Sequence, residues 1–397
     1  MTATIDVEAV RAATPGVRHA HHLNAAGCSL ASEATLRAVT EHLELEARAG
    51  GYEAAAAVRP RLEAVYEAAA ALLGANPHEI ALVESATVGW RRAIDALRLA
   101  PGHRVVVSRS AYVSFALQLL ALERERGVVV DVVPSGDDGA VDLARLEQAL
   151  GQAPALLALA HVPTSSGLVE PVAAAGALAR AAGVPFMVDA TQSAGQLEVD
   201  VGEIACDLLV TTGRKYLRAP RGTGLLYVRG DLTPAAPDVR GAEWVADRDW
   251  TLDPGARRFE TWEASTALRL GLGVALDEAA ALGTATTEAH LTAIAARLRA
   301  ALAALPGVEI ADPPAARSAI VTFHVPGMDA AAVAAALAQR RVNVVAVPAA
   351  HGLWDLGGRG LPAVVRASPH VYDNDADLEA LLDGVGAIAG ARKEFAA

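Results

Sequence analysis

The chain has 397 residues, 53% of them hydrophobic, and a formal net charge of −12, which predicts two domains and argues against binding to nucleic acid. Its two cysteines, Cys28 and Cys206, cannot form a disulfide framework and indicate a reducing, cytoplasmic compartment. The N-terminal segment "MTATIDVEAVRAATPG" lacks the apolar run of a signal peptide, and no uninterrupted apolar stretch reaches the ~18 residues of a membrane span.

A helix is predicted over residues 33–48, and from residue 76 to residue 229 short apolar runs alternate with segments of helical spacing. The runs predict strands at 80–83, 105–107, 128–133, 156–160, 185–188, 208–210 and 225–228. The segments between them predict helices at 90–99, 114–126, 141–150 and 172–182. Because strands that are apolar throughout are buried on both faces, this alternation predicts an α/β doubly wound layer with a mostly parallel sheet.

After residue 271 the pattern changes to a smaller α+β domain. Its helices are predicted at 287–304, 330–340 and 377–388, and its strands at 320–325, 342–347 and 363–368. The predicted division is an N-terminal segment, 1–50, that joins the small domain, a large domain, 51–270, and the small C-terminal domain, 271–397.

Polar residues follow the predicted strands at the edge where open α/β sheets bind ligands. The stretch "ESAT" at residues 84–87 runs into a helix after the first strand, where free amide groups suit an anion, although an ordinary Ser/Thr helix cap is the favoured explanation of this stretch alone. Asp189 ends an apolar strand, so this acid either caps a helix or awaits a cation such as a protonated pyridine.

Lys215 follows the next strand in "VTTGRKYLRAPRGTG". Burial and the neighbouring Arg214 would lower the pKa of this lysine and free its amine to form an imine, whereas the alternative is a surface lysine on a loop. A lysine and an acid at adjacent strand ends are how proteins hold pyridoxal 5′-phosphate.

The order of "ESAT", "SAYVS", "HVPTSSG", "VDATQSAG", "TTGRKYLRAPRGTGLLYVR", "RRFETWE" and "VVRASPHVY" resembles the class V aminotransferase family. This family of fold-type I pyridoxal phosphate enzymes includes cysteine desulfurases, isopenicillin-epimerase-like proteins and ergothioneine-type carbon–sulfur lyases. The resemblance covers nearly the whole chain. It implies a large domain with a mostly parallel seven-stranded sheet, a smaller C-terminal α+β domain, and a homodimer with shared active sites.

The resemblance also implies roles around the cofactor ring. Lys215 would form the internal aldimine, Asp189 would pair with the pyridine nitrogen, and Gln192 would bond the phenolic oxygen. Tyr112 would stack on the ring, and Thr164 occupies a position where relatives often carry an asparagine that contacts the phenolic oxygen.

For the phosphate and the substrate, the resemblance implies a second group of residues. Ala86, Thr87 and Thr212 would hold the phosphate, and Thr261 would reach the phosphate of the other subunit. The substrate carboxylate would bind the planar fork of Arg366, with Asn24 and Ala25 along the substrate.

The sequence departs from the desulfurases at three places. Arg214 stands where relatives place histidine, and it either binds phosphate or caps a turn. Residues 346–365, where desulfurases carry a mobile nucleophilic cysteine, contain no cysteine. His351 lies in that segment, either as a substrate-side acid or base or as a surface histidine. Cys28 lies near the substrate segment, but a small buried residue is the simpler interpretation.

We therefore predict an enzyme that acts on an amino acid through an external aldimine. The favoured reaction is β-elimination at a carbon–sulfur bond without a persulfide cysteine, because "GRKYLRAPRG" and "GGYEAAAA" resemble the ergothioneine-type lyases. Aminotransferase and isopenicillin-N-epimerase-like reactions stay open, and intact Lys215, Asp189 and Arg366 argue against a non-enzymatic binding protein. No metal is expected, because the histidines 19, 21 and 22 lack a second ligand set. The tryptophans 244, 250 and 354 indicate either an aromatic entrance or a dimer-interface core.

Overall fold

The structure is a computed structural model that describes residues 4–395. Its α-helices are α1 Val7–Ala12, α2 Glu33–Ala49, α3 Gly51–Ala57, α4 Arg59–Leu73, α5 Ala86–Ala96, α6 Val113–Arg126, α7 Leu143–Leu150, α8 Val172–Ala182, α9 Val201–Ile204, α10 Thr266–Leu282, α11 Thr284–Ala303, α12 Ala330–Gln339 and α13 Asp375–Phe395. Its strands are β1 His21–His22, β2 Ile80–Val83, β3 Arg104–Ser108, β4 Val129–Val133, β5 Leu156–Ala160, β6 Phe186–Asp189, β7 Leu208–Thr212, β8 Gly224–Val228, β9 Ala242–Ala246, β10 Asp249–Leu252, β11 Glu309–Ile310, β12 Val321–His324, β13 Val342–Asn343, β14 Val345–Pro348 and β15 Ala363–Ala367.

The seven predicted apolar runs form one seven-stranded sheet with the order β2-β8-β7-β6-β5-β3-β4. Only β8 runs antiparallel to its neighbours within this sheet, so the predicted mostly parallel sheet is confirmed. The carboxyl ends of β5, β6 and β7 consequently meet at one edge, where a ligand site is expected.

Helices cover both faces of the sheet, as the continuously apolar strands require. In β5, Leu156 and Ala158 pack in the cluster that includes the α5 residue Trp90, whereas Leu157 and Leu159 pack in the cluster of the opposite face. Since successive side chains of a strand point to opposite faces, a strand between two helical layers must be apolar at every position.

The C-terminal part forms a second, antiparallel sheet with the order β11-β12-β15-β14. Its core, built with α11, α12 and α13, also contains Leu23 and Ala25 from the N-terminal segment. That segment is attached through β1, which pairs in parallel with β13.

Some details of the predicted elements are wrong. The single strand expected at 342–347 is divided, because β13 pairs with β1 while β14 pairs with β15. Helices α3, α4 and α10 and the β9–β10 hairpin were not predicted.

The expected domain boundary at 270/271 falls inside α10, which packs against α2 and α4. The chain ends 1–3 and 396–397 of that division lie outside the described residues. The division itself stays a prediction.

Within residues 4–395, no helix has the length and apolar character needed to cross a membrane. Cys28 and Cys206 are both unpaired, and the latter is buried.

Candidate active site

The site is built where β6 and β7 end side by side. Asp189 is the last residue of β6 and pairs in register with Val210 of β7. Lys215 follows β7 in a turn whose first residue, Gly213, donates to Thr223 O at 2.9 Å. A Cβ on Gly213 would collide with Thr223 Oγ1, so the tight turn before Lys215 requires glycine.

Lys215 is a buried amine, 5% exposed, and forms no ion pair among the described residues. Its Nζ lies 5.7 Å from the centre of the Tyr112 ring. Burial lowers the pKa of Lys215 to about 7, helped by the cations Arg366 and Arg214 and opposed by Asp189. The uncharged amine, which is the nucleophilic and basic form, is therefore well populated at neutral pH.

Asp189 and Gln192 are buried as well. Asp189 Oδ1 accepts a hydrogen bond from the Thr191 amide at 2.9 Å, and burial raises the pKa of Asp189 although Thr191 and Lys215 act against that rise. Gln192 Nε2 donates to Ala26 O at 3.1 Å, while its Oε1 has no hydrogen-bond partner in the described structure. A buried acid and an unpartnered buried amide oxygen are the groups that a polar ring would complete.

The helix N-terminus predicted at Ala86 and Thr87 is present at the start of α5. Ser85 caps it and accepts from Val88 N at 3.3 Å, which leaves the first-turn amides of Ala86 and Thr87 without intrahelical partners. Thr212 pairs in register with Gly224, and a Cβ on Gly224 would lie 3.0 Å from Ser85 C. Thr212 and the N-terminal end of α5, whose free amides suit an anion, are thus brought together.

Arg366 lies on β15 and is 4% exposed. Its positive charge is close enough to Lys215 to lower the pKa of the lysine. Its Nη1 donates to Thr164 Oγ1 at 2.5 Å and to Thr164 O at 3.1 Å, and its Nη2 lies 3.5 Å from Asn24 Oδ1. Burial lowers the pKa of Arg366 to about 10. Thr164 therefore orients this guanidinium, a contact that the sequence did not predict.

The N-terminal segment runs beside Arg366 and Gln192. Ala25 N donates to Ser368 O at 3.0 Å, which places Asn24 and Ala25 next to β15. Arg214 contacts the same segment, because its Nη1 donates to Gly27 O and its carbonyl accepts from Ser29 N at 2.9 Å.

Two predicted residues lie apart from this cluster. Thr261 Oγ1 donates to Glu84 Oε1 at 3.1 Å, near the start of α5 but without a described contact to Lys215. His351 is exposed on the turn Ala349–His351 and forms no described side-chain hydrogen bond. Its segment is instead attached to the site through Asp355 Oδ2, which accepts from Ser165 Oγ at 2.5 Å.

The tryptophans singled out in the sequence divide into two groups. Trp244 and Trp250 face each other across the β9–β10 hairpin and are largely exposed. Trp354 is partly buried against the core that contains Trp90 and Phe115.

Family membership follows from a comparison with protein families. The family described as Aminotransferase class-V matches residues 21–381. The chain belongs to the class V aminotransferase family. Its cofactor is pyridoxal 5′-phosphate, as the sequence predicted, and the buried Asp189, the unpartnered Gln192 Oε1 and the free amides of α5 fit a ring with a phosphate arm.

Two relatives of this class V protein carry different kinds of name. A probable cysteine desulfurase of Methanothermobacter thermautotrophicus is 30% identical, with 96% of this chain and 98% of the relative covered. A probable hercynylcysteine sulfoxide lyase of Mycobacterium tuberculosis is 34% identical, with 96% and 94% covered. The apo structure of a cysteine desulfurase from Thermococcus onnurineus superposes with a TM-score of 0.90 at 25% identity, covering 98% of this chain and 100% of that one.

Glu170 is one of the buried acids of this class V protein that were not predicted from the sequence. Glu170 is 1% exposed, and its two carboxylate oxygens accept from Ser110 Oγ at 2.6 Å and from Val141 N at 2.7 Å. It thereby holds the turn that leads to Tyr112. Its signal was an acid inside the apolar run "GLVEPVA", the same signal that marked Asp189.

An aromatic stack between the turn that carries Lys215 and the segment after Arg366 was likewise not predicted from the sequence. His370 stacks between Tyr216 and Tyr372, with ring centres 5.5 Å and 5.0 Å apart, and burial lowers the pKa of His370 to about 3. The stack joins the residue after Lys215 to the segment after Arg366, so the two functional side chains are held on one packed unit.

Proposed function

We propose that this class V enzyme is a carbon–sulfur β-lyase that cleaves the Cβ–S bond of a cysteine conjugate without a persulfide cysteine. The observation that carries the proposal is the segment before Arg366. Residues 346–365 contain no cysteine, and the segment is fixed by the pairing of β14 with β15 and by the bond from Ser165 to Asp355.

The residues of the site have separate roles in this reaction. Bound pyridoxal phosphate supplies the electron sink that acidifies the substrate Cα. Arg366, oriented by Thr164 and Asn24, binds the substrate carboxylate through its fork. Lys215 takes the Cα proton, a role that suits an amine with a pKa near neutrality.

The bond changes balance without an oxidant or a nucleophilic thiol. The Cα–H bond breaks toward the Lys215 amine, and the Cβ–S bond breaks with its electron pair going to sulfur. The sulfur leaves as a thiolate or, from a sulfoxide, as a sulfenate that takes up a proton. Water then hydrolyses the three-carbon fragment to pyruvate and ammonia.

Cysteine desulfuration is the second candidate, because several relatives at 28–32% identity are named cysteine desulfurases or probable cysteine desulfurases. The chain has two candidate thiols for this reaction. Cys28 is half-buried and lies in the segment that Arg214 contacts, whereas Cys206 is buried. Burial raises the pKa of Cys206, which keeps that thiol protonated.

The test uses the yellow holoenzyme and a panel of S-substituted cysteines and their sulfoxides. Pyruvate with ammonia identifies a lyase, alanine with persulfide a desulfurase, and a keto acid formed only with an added acceptor a transaminase. Solvent deuterium at Cα without net reaction identifies an epimerase. Lys215→Ala should abolish every one of these activities, and turnover by this variant would refute the role of the lysine.

We further propose a homodimer with shared active sites. Support comes from exposed aromatic residues beside Thr261: Trp262 is 52% exposed, and Tyr52, which contacts it at 6.4 Å between ring centres, is 77% exposed. A cytoplasmic location is likewise a proposal, supported by the two unpaired cysteines.

A further inference from the structure

The guanidinium of Arg366 is only partly satisfied by the protein. Its Nη1 donates to Thr164 Oγ1 at 2.5 Å and to Thr164 O at 3.1 Å. Its Nε is buried without a hydrogen-bond partner in the described structure, and its Nη2 reaches Asn24 Oδ1 at the long distance of 3.5 Å. Because a buried donor calls for an acceptor, the Nε–Nη2 edge is the side of the fork that is left for a carboxylate.

Thr164, which occupies the other side of the fork, is followed by a residue that is tied to the C-terminal part of the chain. Ser165 Oγ donates to Asp355 Oδ2 at 2.5 Å. Asp355 is itself held by Arg359, whose Nε donates to Asp355 Oδ1 at 2.7 Å. Both of these charged residues lie in the β14–β15 segment, residues 349–362, whereas Ser165 follows β5. The bond therefore joins two distant parts of the chain directly beside the threonine that orients the fork.

We propose that Asp355 is a positioning residue for the substrate carboxylate. Through Ser165 it keeps Thr164 in place on Nη1 of Arg366, so that the Nε–Nη2 edge stays free and fixed in direction. This inference rests on the proposed role of Arg366 and extends it to a residue that needs no contact with the substrate. A fork held in one orientation forms two parallel hydrogen bonds to a carboxylate without first losing its rotational freedom.

The bond can be removed without unfolding the segment that carries Asp355. Leu356, the next residue, is fully buried in a cluster with side chains of β14 and β15. The loop after β5 has a second attachment as well, because Gly167 N donates to Asp312 Oδ1 at 2.9 Å. Ser165→Ala should therefore remove one link and leave both segments folded.

Two other roles of this bond would give different results. If the β14–β15 segment covers the whole site, its release would weaken the binding of every amine ligand equally. If the bond contributes to stability alone, its loss would lower the free energy of unfolding and leave ligand binding unchanged. L-alanine and ethylamine separate these roles, because they differ by the carboxylate. Neither carries sulfur, so their binding is measured apart from any cleavage.

The experiment titrates the visible band of the holoenzyme with L-alanine and with ethylamine. It compares wild type, Ser165→Ala, Asp355→Ala and the double variant, and urea titrations record the stability of each. Asp375→Ala is the matched control, because Asp375 also pairs with an arginine, Arg297, at 2.6 Å but has no described contact with the loop after β5.

We expect each single variant to weaken the binding of L-alanine at least about five-fold relative to ethylamine, the scale of coupling within one hydrogen-bond network. The double variant should lose no more than the larger single loss, because both changes remove the same bond. Asp375→Ala should keep the wild-type ratio of the two dissociation constants.

Equal weakening of both ligands would overturn the inference and make the β14–β15 segment a cover of the whole site. An unchanged ratio in both single variants would also overturn it, whatever their stability. If Arg366→Met keeps the wild-type preference for L-alanine, the proposed role of Arg366 fails and the inference fails with it. If the expected ratios are found but wild type cleaves none of the S-substituted cysteines, the inference holds and the lyase proposal fails alone.

Discussion

At the scale of the residue, the chemistry of this protein depends on charges that lack partners. Lys215 owes its lowered pKa first to burial and then to Arg366 and Arg214. Asp189 opposes the shift but does not cancel it, because burial also raises the pKa of this acid. The site is prepared for an anionic ligand before one binds.

A pH dependence follows for cofactor uptake. The pKa of Lys215 is lowered to about 7, so its amine is uncharged above that pH and becomes protonated as the pH falls through it. Covalent uptake of pyridoxal phosphate by the apo-protein should therefore fall below about pH 7, as followed by visible absorbance. Arg366→Met removes the larger cationic contribution and should move the profile to higher pH, whereas Arg221→Gln should not. An unmoved profile in Arg366→Met would contradict the electrostatic cause.

Glu170 supports a second prediction at this scale. Glu170→Gln keeps the shape of the side chain but turns an amide group toward one of the two donors, Ser110 Oγ or Val141 N. Losing one buried, charge-assisted bond should lower the free energy of unfolding by about 1–3 kcal/mol in urea titrations. Glu147→Gln, at an exposed position of α7, is the control and should stay close to wild type.

At the scale of the element, two features place the functional groups: the N-terminus of α5 and the turn after β7. The first exposes amides beside Thr212, and the second delivers Lys215 to the same strand end. Both features depend on a glycine that lets two chain segments approach closely. Gly224 packs against the backbone of Ser85, and Gly213 packs against the side chain of Thr223.

Removing the cap of α5 should weaken the anion site. Ser85→Ala loses the hydrogen bond from Val88 N, which should cost about 1 kcal/mol of stability and lower the affinity for pyridoxal phosphate. Ser265→Ala removes an equivalent cap of α10, whose side chain accepts from Leu268 N. It should cost similar stability without the loss of cofactor affinity, and equal affinity losses in both variants would argue against an anion site at α5.

The turn gives a sharper prediction. Gly213→Ala forces a Cβ against Thr223 and Ala219, so the turn must shift and Lys215 must move with it. We expect loss of covalent cofactor loading, measured by borohydride reduction and peptide mass. Gly51→Ala, where an added Cβ meets nothing within 4 Å, should load normally.

At the scale of the whole molecule, the site joins three parts of the chain that are distant in sequence. The N-terminal segment contributes Asn24, the seven-stranded sheet contributes Asp189, with Lys215 on the turn after β7, and the C-terminal sheet contributes Arg366. The proposed homodimer would add Thr261 from a second copy.

Mixing two variants tests that sharing. If Thr261 acts across the interface, Lys215→Ala and Thr261→Ala subunits form mixed dimers that each contain one complete site. Reassembly of equal amounts should restore about a quarter of the wild-type sites, because roughly half of the dimers are mixed. Activity no higher than the sum of the separate variants would show that Thr261 serves its own subunit.

By itself, the sequence determined the sheet and its functional edge. Strands buried on both faces must be apolar throughout, so an acid or a lysine at the end of such a run, as at Asp189 and Lys215, is conspicuous. The tertiary structure alone decided the long-range pairs: Arg366 with Thr164, Arg214 with Gly27, and Glu170 with Ser110. These pairs depend on strand order and on how the terminal segments pack, which local periodicity does not encode. The division of the strand at 342–347 has the same origin, since only the positions of β1 and β15 assign each half its partner.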